Sequence, residues 1–435
     1  MQRISLSPSA TSINATLSVP GSKSYTNRAL VSASMACGLT RLSAVSMSSD
    51  SDALVNALQH LGAAIHESSD PNGEPALIVE GCSGRFLPFE GEIDVGPAGT
   101  TMRFLTALCA SIPGAAITLR GSERMHERPI KELVDALRCS GARIDYLGRD
   151  GCPPLLIRSQ APLTGGIVPI DGSVSSQFIS ALMLAAPLRS DALTIQINGE
   201  QTSRSYIDMT IQGLQEFGVN VQNDSYRSYH ITSAQQPVAR HYTIEGDASG
   251  ASYLWGLAAV SGGSVTVTNI NPHSAQGDIK FPDILREMGC SVTTTGRSIT
   301  VTAPPLLRGV HVDMSLMPDT AQTLAVIAAC AQGSTTITGL HTLRIKETDR
   351  LAALHTELAK VGIESETGPD YITVHGGFPR HGVISTYDDH RMAMSFALLG
   401  ARPSGVTIEH PQVVNKSFKS FWQTVEGAGM RVETP

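Results

Sequence analysis

A chain of 435 residues is too long for one ordinary hydrophobic core, and a composition of 41% hydrophobic and 16% charged residues supplies material for two. The formal net charge of −7 argues against nucleic acid or an anionic membrane as the partner, so any anion site must be a local gathering of Arg and Lys. Scattered cysteines without a C-x-x-C pair (Cys37, Cys82, Cys109, Cys139, Cys152, Cys290 and Cys330) fit a reducing cytoplasm better than a disulfide framework or a zinc site.

The opening "MQRISLSPSATS" has no apolar h-region, so no signal peptide is expected. The longest apolar runs, such as "FISALMLAAPL" at 178–188, are too short to span a bilayer. At 21–30, "GSKSYTNRAL" sets Lys23 in a Gly/Ser turn that opens a helix, a common phosphate grip. It is no Walker A loop, because Leu17 and Ser22 stand where that motif needs glycine. Arg28 follows about one turn later. "VGPAGTTMRF" at 95–104 is a second turn of this type, ahead of an apolar helix. "GSERMHERPI" at 121–130 carries Arg124 and Arg128, two guanidiniums able to fork onto carboxylate or phosphate oxygens. "DGSVSSQFIS" at 171–180 offers Ser173, Ser175, Ser176 and Gln177 before a helix, more polar groups than one N-cap uses.

Acid–base residues concentrate in the second half. "MPDTAQTLA" gives Asp319 at a helix mouth, and "LRIKETDRLAAL" packs Arg344, Lys346, Glu347, Asp349 and Arg350 together. "YDDHRMAMSFALL" supplies Asp388, Asp389, His390 and Arg391, and "VVNKSFKSF" supplies Lys416. Acidic residues at helix starts are ordinary, but Arg and Lys there oppose the dipole, and their recurrence calls for an anion. A metal at the Asp-Asp-His run is disfavoured: no H-E-x-x-H occurs and Arg391 would repel a cation.

A phrase of the form Leu-x-x-x-Gly recurs along the chain, its first residue Val425 in the last copy. Its glycines, Gly62, Gly141, Gly218, Gly289, Gly362 and Gly429, lie 79, 77, 71, 73 and 67 residues apart. Each suits a helix end that turns left-handed into a strand, and alternating β-branched segments follow. The last copy meets the C-terminus before its second strand. Six units predict three per domain, with helices inward and sheets outward, and a break between about 233 and 245.

Taken in order, "PGSKSYTNRAL", "AGTTMRF", "RMHERPI", "DGSVSSQF", "GDASGASY", "KETDRL", "YDDHRMAM" and "NKSF" resemble the motifs of the 5-enolpyruvylshikimate-3-phosphate synthases, from residue 20 to about 420. The resemblance implies a two-domain inside-out α/β barrel. Each domain would hold three βαβαββ-type units: 21–244 as one, 1–20 with 245–435 as the other, and the active site in the cleft between them. It implies transfer of an enolpyruvyl group from phosphoenolpyruvate to shikimate 3-phosphate, without metal or cofactor, by a monomer. Lys23, Gly99, Arg128, Gln177, Arg350, Arg391 and Lys416 would hold phosphoenolpyruvate. Lys23, Ser24, Arg28, Ser175, Ser176, Gln177, Ser203, Asp319 and Lys346 would hold shikimate 3-phosphate. Asp319 and Glu347 would carry acid–base chemistry, with Lys23 and His390 assisting.

Three residues depart from the family pattern: Pro97 and Thr342 where asparagine is frequent, and Phe104 where proline is common. A missing proline at the helix start is expected to shift Gly99 and Thr100 and to weaken binding of glyphosate, the family's inhibitor. The rival, a UDP-N-acetylglucosamine enolpyruvyl transferase, usually has a reactive cysteine in the loop corresponding to 121–128; "GSERMHER" has none. A silent binding protein on the same scaffold is disfavoured because Lys23, Asp319 and Glu347 are all present.

Overall fold

A computed structural model describes residues 2–9, 12–70 and 73–434. The expected domain ends at 1 and 435 lie outside the described residues. The chain divides into two compact units, Gly21–Ile244, and Met1–Pro20 together with Glu245–Pro435.

The first unit contains α1 (Lys23–Met35), α2 (Ser49–His60), α3 (Gly99–Ala110), α4 (Lys131–Cys139), α5 (Ser176–Ala185) and α6 (Arg204–Glu216). The second contains α7 (Ala248–Ser261), α8 (Phe281–Glu287), α9 (Ala321–Ala328), α10 (Arg350–Lys360), α11 (His390–Ala397) and α12 (Phe421–Gly427). Among the described residues the strands form six four-stranded sheets.

All six share one order: an edge strand runs parallel to a central strand, and two antiparallel strands complete the sheet. In three of them a helix joins the parallel pair and the antiparallel strands form a hairpin. Glu90–Asp94, α3, Ala116–Arg120, α4, Arg143–Tyr146 and Leu155–Arg158 make one such βαβαββ unit. All six glycines of the repeat have positive φ, from 78° to 108°. Each follows a helix end, where an L side chain would be strained.

The first helix of each unit is buried almost throughout: eleven residues of α1, nine of α5 and twelve of α7. The second helices bury one face, as α4 does with Leu133, Val134, Ala136 and Leu137. Strands alternate buried and exposed positions, as in Leu193–Asn198. In each unit, then, helices fill the interior and sheets form the outer wall, as expected.

Both units close on themselves. In Gly21–Ile244 the late strand His241–Thr243 pairs parallel with Cys37–Ser43, becoming the edge strand of the first sheet. In the other unit Arg3–Pro8 lies between Val406–Glu409 and Met430–Glu433, antiparallel to both. That N-terminal strand replaces the one the sixth repeat lacks.

Candidate active site residues in each unit

In Gly21–Ile244 the polar residues gather at the N-termini of the inner helices. α1, α3 and α6 have no side-chain cap bond, and no acidic residue stands in the first turn of α1, α3, α5 or α6. Their N–H groups and dipoles therefore present positive potential without a carboxylate of their own. Lys23, the first residue of α1, donates from Nζ to Asp50 Oδ2 at 2.9 Å. Asp50 is itself buried on α2, and its carbonyl accepts from Thr101 Oγ1 of α3 at 3.1 Å. Gln177 Nε2 of α5 donates to Thr100 Oγ1 at 3.3 Å, while Ser175 caps α5 by accepting from the Gln177 N–H. Lys23, Gly99, Thr100, Ser175 and Gln177 are thus brought into one neighbourhood.

Gly99 is there for space. A Cβ on it would lie 2.6 Å from a terminal nitrogen of Arg128, so the guanidinium rests directly on the start of α3. Ser176 is buried, and Ser203 precedes α6 with φ of +51°. Ser24 is half-buried on α1.

Arg28 points inward. Its Nε donates to Thr210 Oγ1 at 2.7 Å, its terminal nitrogens donate to the Ser24 and Tyr206 carbonyls and to Ser180 Oγ, and its guanidinium lies 5.5 Å from the Phe104 ring. Burial lowers its pKa to about 10. The position of Phe104 within α3 corrects the expectation for it. It is the sixth residue of α3, where proline would remove a helix hydrogen bond and not preset the first turn.

The second unit holds a denser charge cluster, again at helix starts. Asp319, in the turn before α9, accepts from Arg350 at Oδ1 (3.2 Å) and from Arg391 at Oδ2 (2.7 Å), with Lys346 Nζ at 4.0 Å. Glu347 accepts from Arg350 at Oε2 and from Lys416 at Oε1, each at 2.9 Å. Asp389 takes Arg350 Nε at 2.7 Å and caps α11 by accepting the Arg391 N–H at 2.8 Å. His390, buried, has Nδ1 3.5 Å from Asp389 Oδ1. Arg391 also donates to the Tyr253 hydroxyl at 3.2 Å.

Burial pushes the Asp319 carboxyl upward, but Arg391, Lys346 and Arg350 outweigh it and hold the group far below the usual carboxylate range. It is therefore an ionised acceptor at neutral pH. Burial works against the charge of Arg350, yet Asp389, Glu347 and Asp319 keep it firmly protonated.

Sequence reasoning missed Asp278. It is buried in a 3-10 turn beside α7, accepts a hydrogen bond from Ser249, and is raised to about 7 by burial and by Asp319. "SAQGDIKF" gives no sign of this, since only the fold brings the carboxyl near Asp319. No group of three or more His, Cys, Asp or Glu among the described residues could hold a metal.

Two sets of cations at helix N-termini, one of them around an ionised carboxylate, in a repeated α/β fold define an enzyme class that handles anionic small molecules. Family comparison narrows this: residues 8–425 match the model of EPSP synthase (3-phosphoshikimate 1-carboxyvinyltransferase). The chain belongs to that family. A 3-phosphoshikimate 1-carboxyvinyltransferase of Shewanella amazonensis is 43% identical, over 97% of this chain and 98% of the relative. One of Methanoculleus marisnigri is 41% identical, over 96% of this chain and 97% of the relative. The solved EPSP synthase of Acinetobacter baumannii superposes with a TM-score of 0.82 at 26% identity, covering both chains fully.

Proposed function

We propose that this chain transfers the enolpyruvyl (carboxyvinyl) group of phosphoenolpyruvate to the 5-hydroxyl of shikimate 3-phosphate, releasing phosphate, in the shikimate pathway to chorismate and the aromatic amino acids. The observation that carries the reading is Asp319, a half-buried carboxylate kept ionised by Arg391, Lys346 and Arg350 beside a second carboxylate, Glu347, bracketed by Arg350 and Lys416. Such a cluster accommodates multiply anionic substrates and still supplies a proton acceptor and a proton carrier.

In the first step the 5-hydroxyl oxygen bonds to C2 of phosphoenolpyruvate, its proton passing to a base, while C3 takes a proton from an acid. The resulting tetrahedral intermediate loses a proton from C3 and expels phosphate from C2. Asp319 serves as the base at the hydroxyl once phosphoenolpyruvate engages Arg350 and Arg391, because a carboxylate held so low by those cations is a weak proton acceptor until they are drawn off. Glu347, with Lys23 and His390 assisting, serves the C3 proton. Lys23, Gly99, Arg128, Gln177, Arg350, Arg391 and Lys416 take phosphoenolpyruvate, whose arrival replaces part of the internal ion pairing. Ser24, Ser175, Ser176, Ser203 and Lys346 take shikimate 3-phosphate together with Lys23, Gln177 and Asp319. Arg28, which ties α1, α5 and α6, takes shikimate 3-phosphate with them.

No metal or organic cofactor enters this chemistry. Among the described residues no helix is long and apolar enough to cross a membrane, and cytoplasmic residence as a monomer accompanies the reading. Weak glyphosate binding does too. It now rests on Pro97, beside the start of α3, and an inhibition constant in the range of sensitive family members would reject it.

The test is phosphate release from phosphoenolpyruvate with shikimate 3-phosphate and UDP-N-acetylglucosamine offered separately. Release with the shikimate ester alone is expected. Release with the nucleotide sugar would restore the rival transferase, which the named relatives do not favour.

A further inference from the structure

α10 begins at Arg350 and, seven residues on, buries a second functional-looking group. Glu357 is fully buried. Its Oε1 accepts from the Tyr387 hydroxyl at 2.6 Å, and its Oε2 accepts the Ser385 N–H at 3.0 Å and pairs with Lys360 Nζ at 2.8 Å. Ser385 and Tyr387 belong to the short link between the strand Val383–Ile384 and α11. Within that link Tyr387 and Asp388 both have φ of +54°. Two consecutive residues with side chains in the left-handed region are disfavoured, tyrosine more so than aspartate, and persist only where neighbouring contacts hold them.

The next residue is Asp389, whose carboxylate meets Arg350 and caps Arg391, and whose N–H donates to the Thr386 carbonyl at 2.8 Å. One helix therefore grips this link twice: Arg350 at Asp389, and Glu357 at Ser385 and Tyr387. Burial pushes the Tyr387 phenol up to about 12, with Glu357 adding to the rise, so it remains a donor at neutral pH.

We infer that Glu357 is a positioning residue, which holds the left-handed Tyr387–Asp388 turn through Ser385 and Tyr387 and so fixes the orientation of Arg391 toward Asp319 and phosphoenolpyruvate. The consequence for phosphoenolpyruvate rests on the function proposed above; the clamp itself does not.

Tyr387→Phe tests it gently, because the residue is 40% exposed and only the hydroxyl is lost. The expected result is a KM for phosphoenolpyruvate raised about tenfold, the lower range for a lost hydrogen bond to a charged group. The KM for shikimate 3-phosphate and kcat stay near those of the parent, the unfolding midpoint falls by no more than one lost hydrogen bond accounts for, and amide exchange over 385–391 quickens. Adding Asp388→Gly, which removes part of the strain, restores much of the phosphoenolpyruvate KM. Unchanged exchange over 385–391 in Tyr387→Phe overturns the clamp. So does a rise in both KM values in step with a lower unfolding midpoint, which would mark a merely structural contact. An inactive parent chain would count against the enolpyruvyl reading instead, and the exchange measurement would still decide the clamp.

Discussion

Asp389 meets Arg350 along one edge, with Nε 2.7 Å from Oδ2 and a terminal nitrogen 3.4 Å from Oδ1, and both side chains are almost wholly shielded from water. The same carboxylate caps α11. Asp389→Ala thus removes a cap and leaves a buried guanidinium with one less counter-charge. A loss of about 3–5 kcal/mol is expected from breaking a buried pair. Asp389→Asn, which can still cap, loses less. Urea unfolding of both variants checks this, and equal losses would show that the charge, not the cap, dominates.

Asp319 gives a pH-dependent stability of defined sign. Its folded-state pKa is held below the unfolded value, so its contribution is complete above the ordinary carboxylate pKa of about 4 and fades as pH falls through lower values. Asp319→Asn should flatten the acid limb of stability and lower kcat by about 10²–10⁴-fold, the usual range for a lost proton acceptor. Parallel acid limbs in parent and variant would mean that the cluster does not hold this carboxyl as described.

Gly99→Ala places a methyl group 2.6 Å from an Arg128 nitrogen, too close for both to stay. The long Arg128 side chain is the flexible partner and should move off the α3 start, raising the KM for phosphoenolpyruvate several-fold with little change in stability. Steady-state kinetics and a thermal melt decide it. A melt lowered as much as the affinity would show the helix start yielding in place of Arg128.

Much of this architecture was legible because local chemistry writes it. Six glycines at helix ends announced the repeat, and Lys23, Arg350 and Arg391 stood out because cations at helix starts oppose the dipole. What stayed hidden depends on distance along the chain. Nothing near Arg3 says that it pairs with Glu409, and nothing near His241 says that it lies beside Arg41. Nothing beside Glu357 in the sequence shows that the fold buries it and pairs it with Tyr387, thirty residues on. Nothing beside Arg28 announces that its guanidinium is held by Thr210, Ser180 and Tyr206, more than 150 residues away.

The N-terminal strand offers the sharpest test of the fold. Leu6 pairs with Val406 on one side and Val432 on the other, and is 1% exposed. It packs so closely over Gly400 that a Cβ there would lie 2.5 Å from its own Cβ. Leu6→Ala should cost about 2–5 kcal/mol, because the strand is pinned by pairing on both sides and cannot shift to close the space the side chain leaves. The strand sits in the middle of its sheet, so loosening it unpairs both neighbours. Amide exchange should quicken at 406–409 and 430–433, while 116–120, in the other unit, keeps its protection. Quickening confined to residues 3–8 would refute this arrangement, since it would show that the last sheet stands without its N-terminal strand.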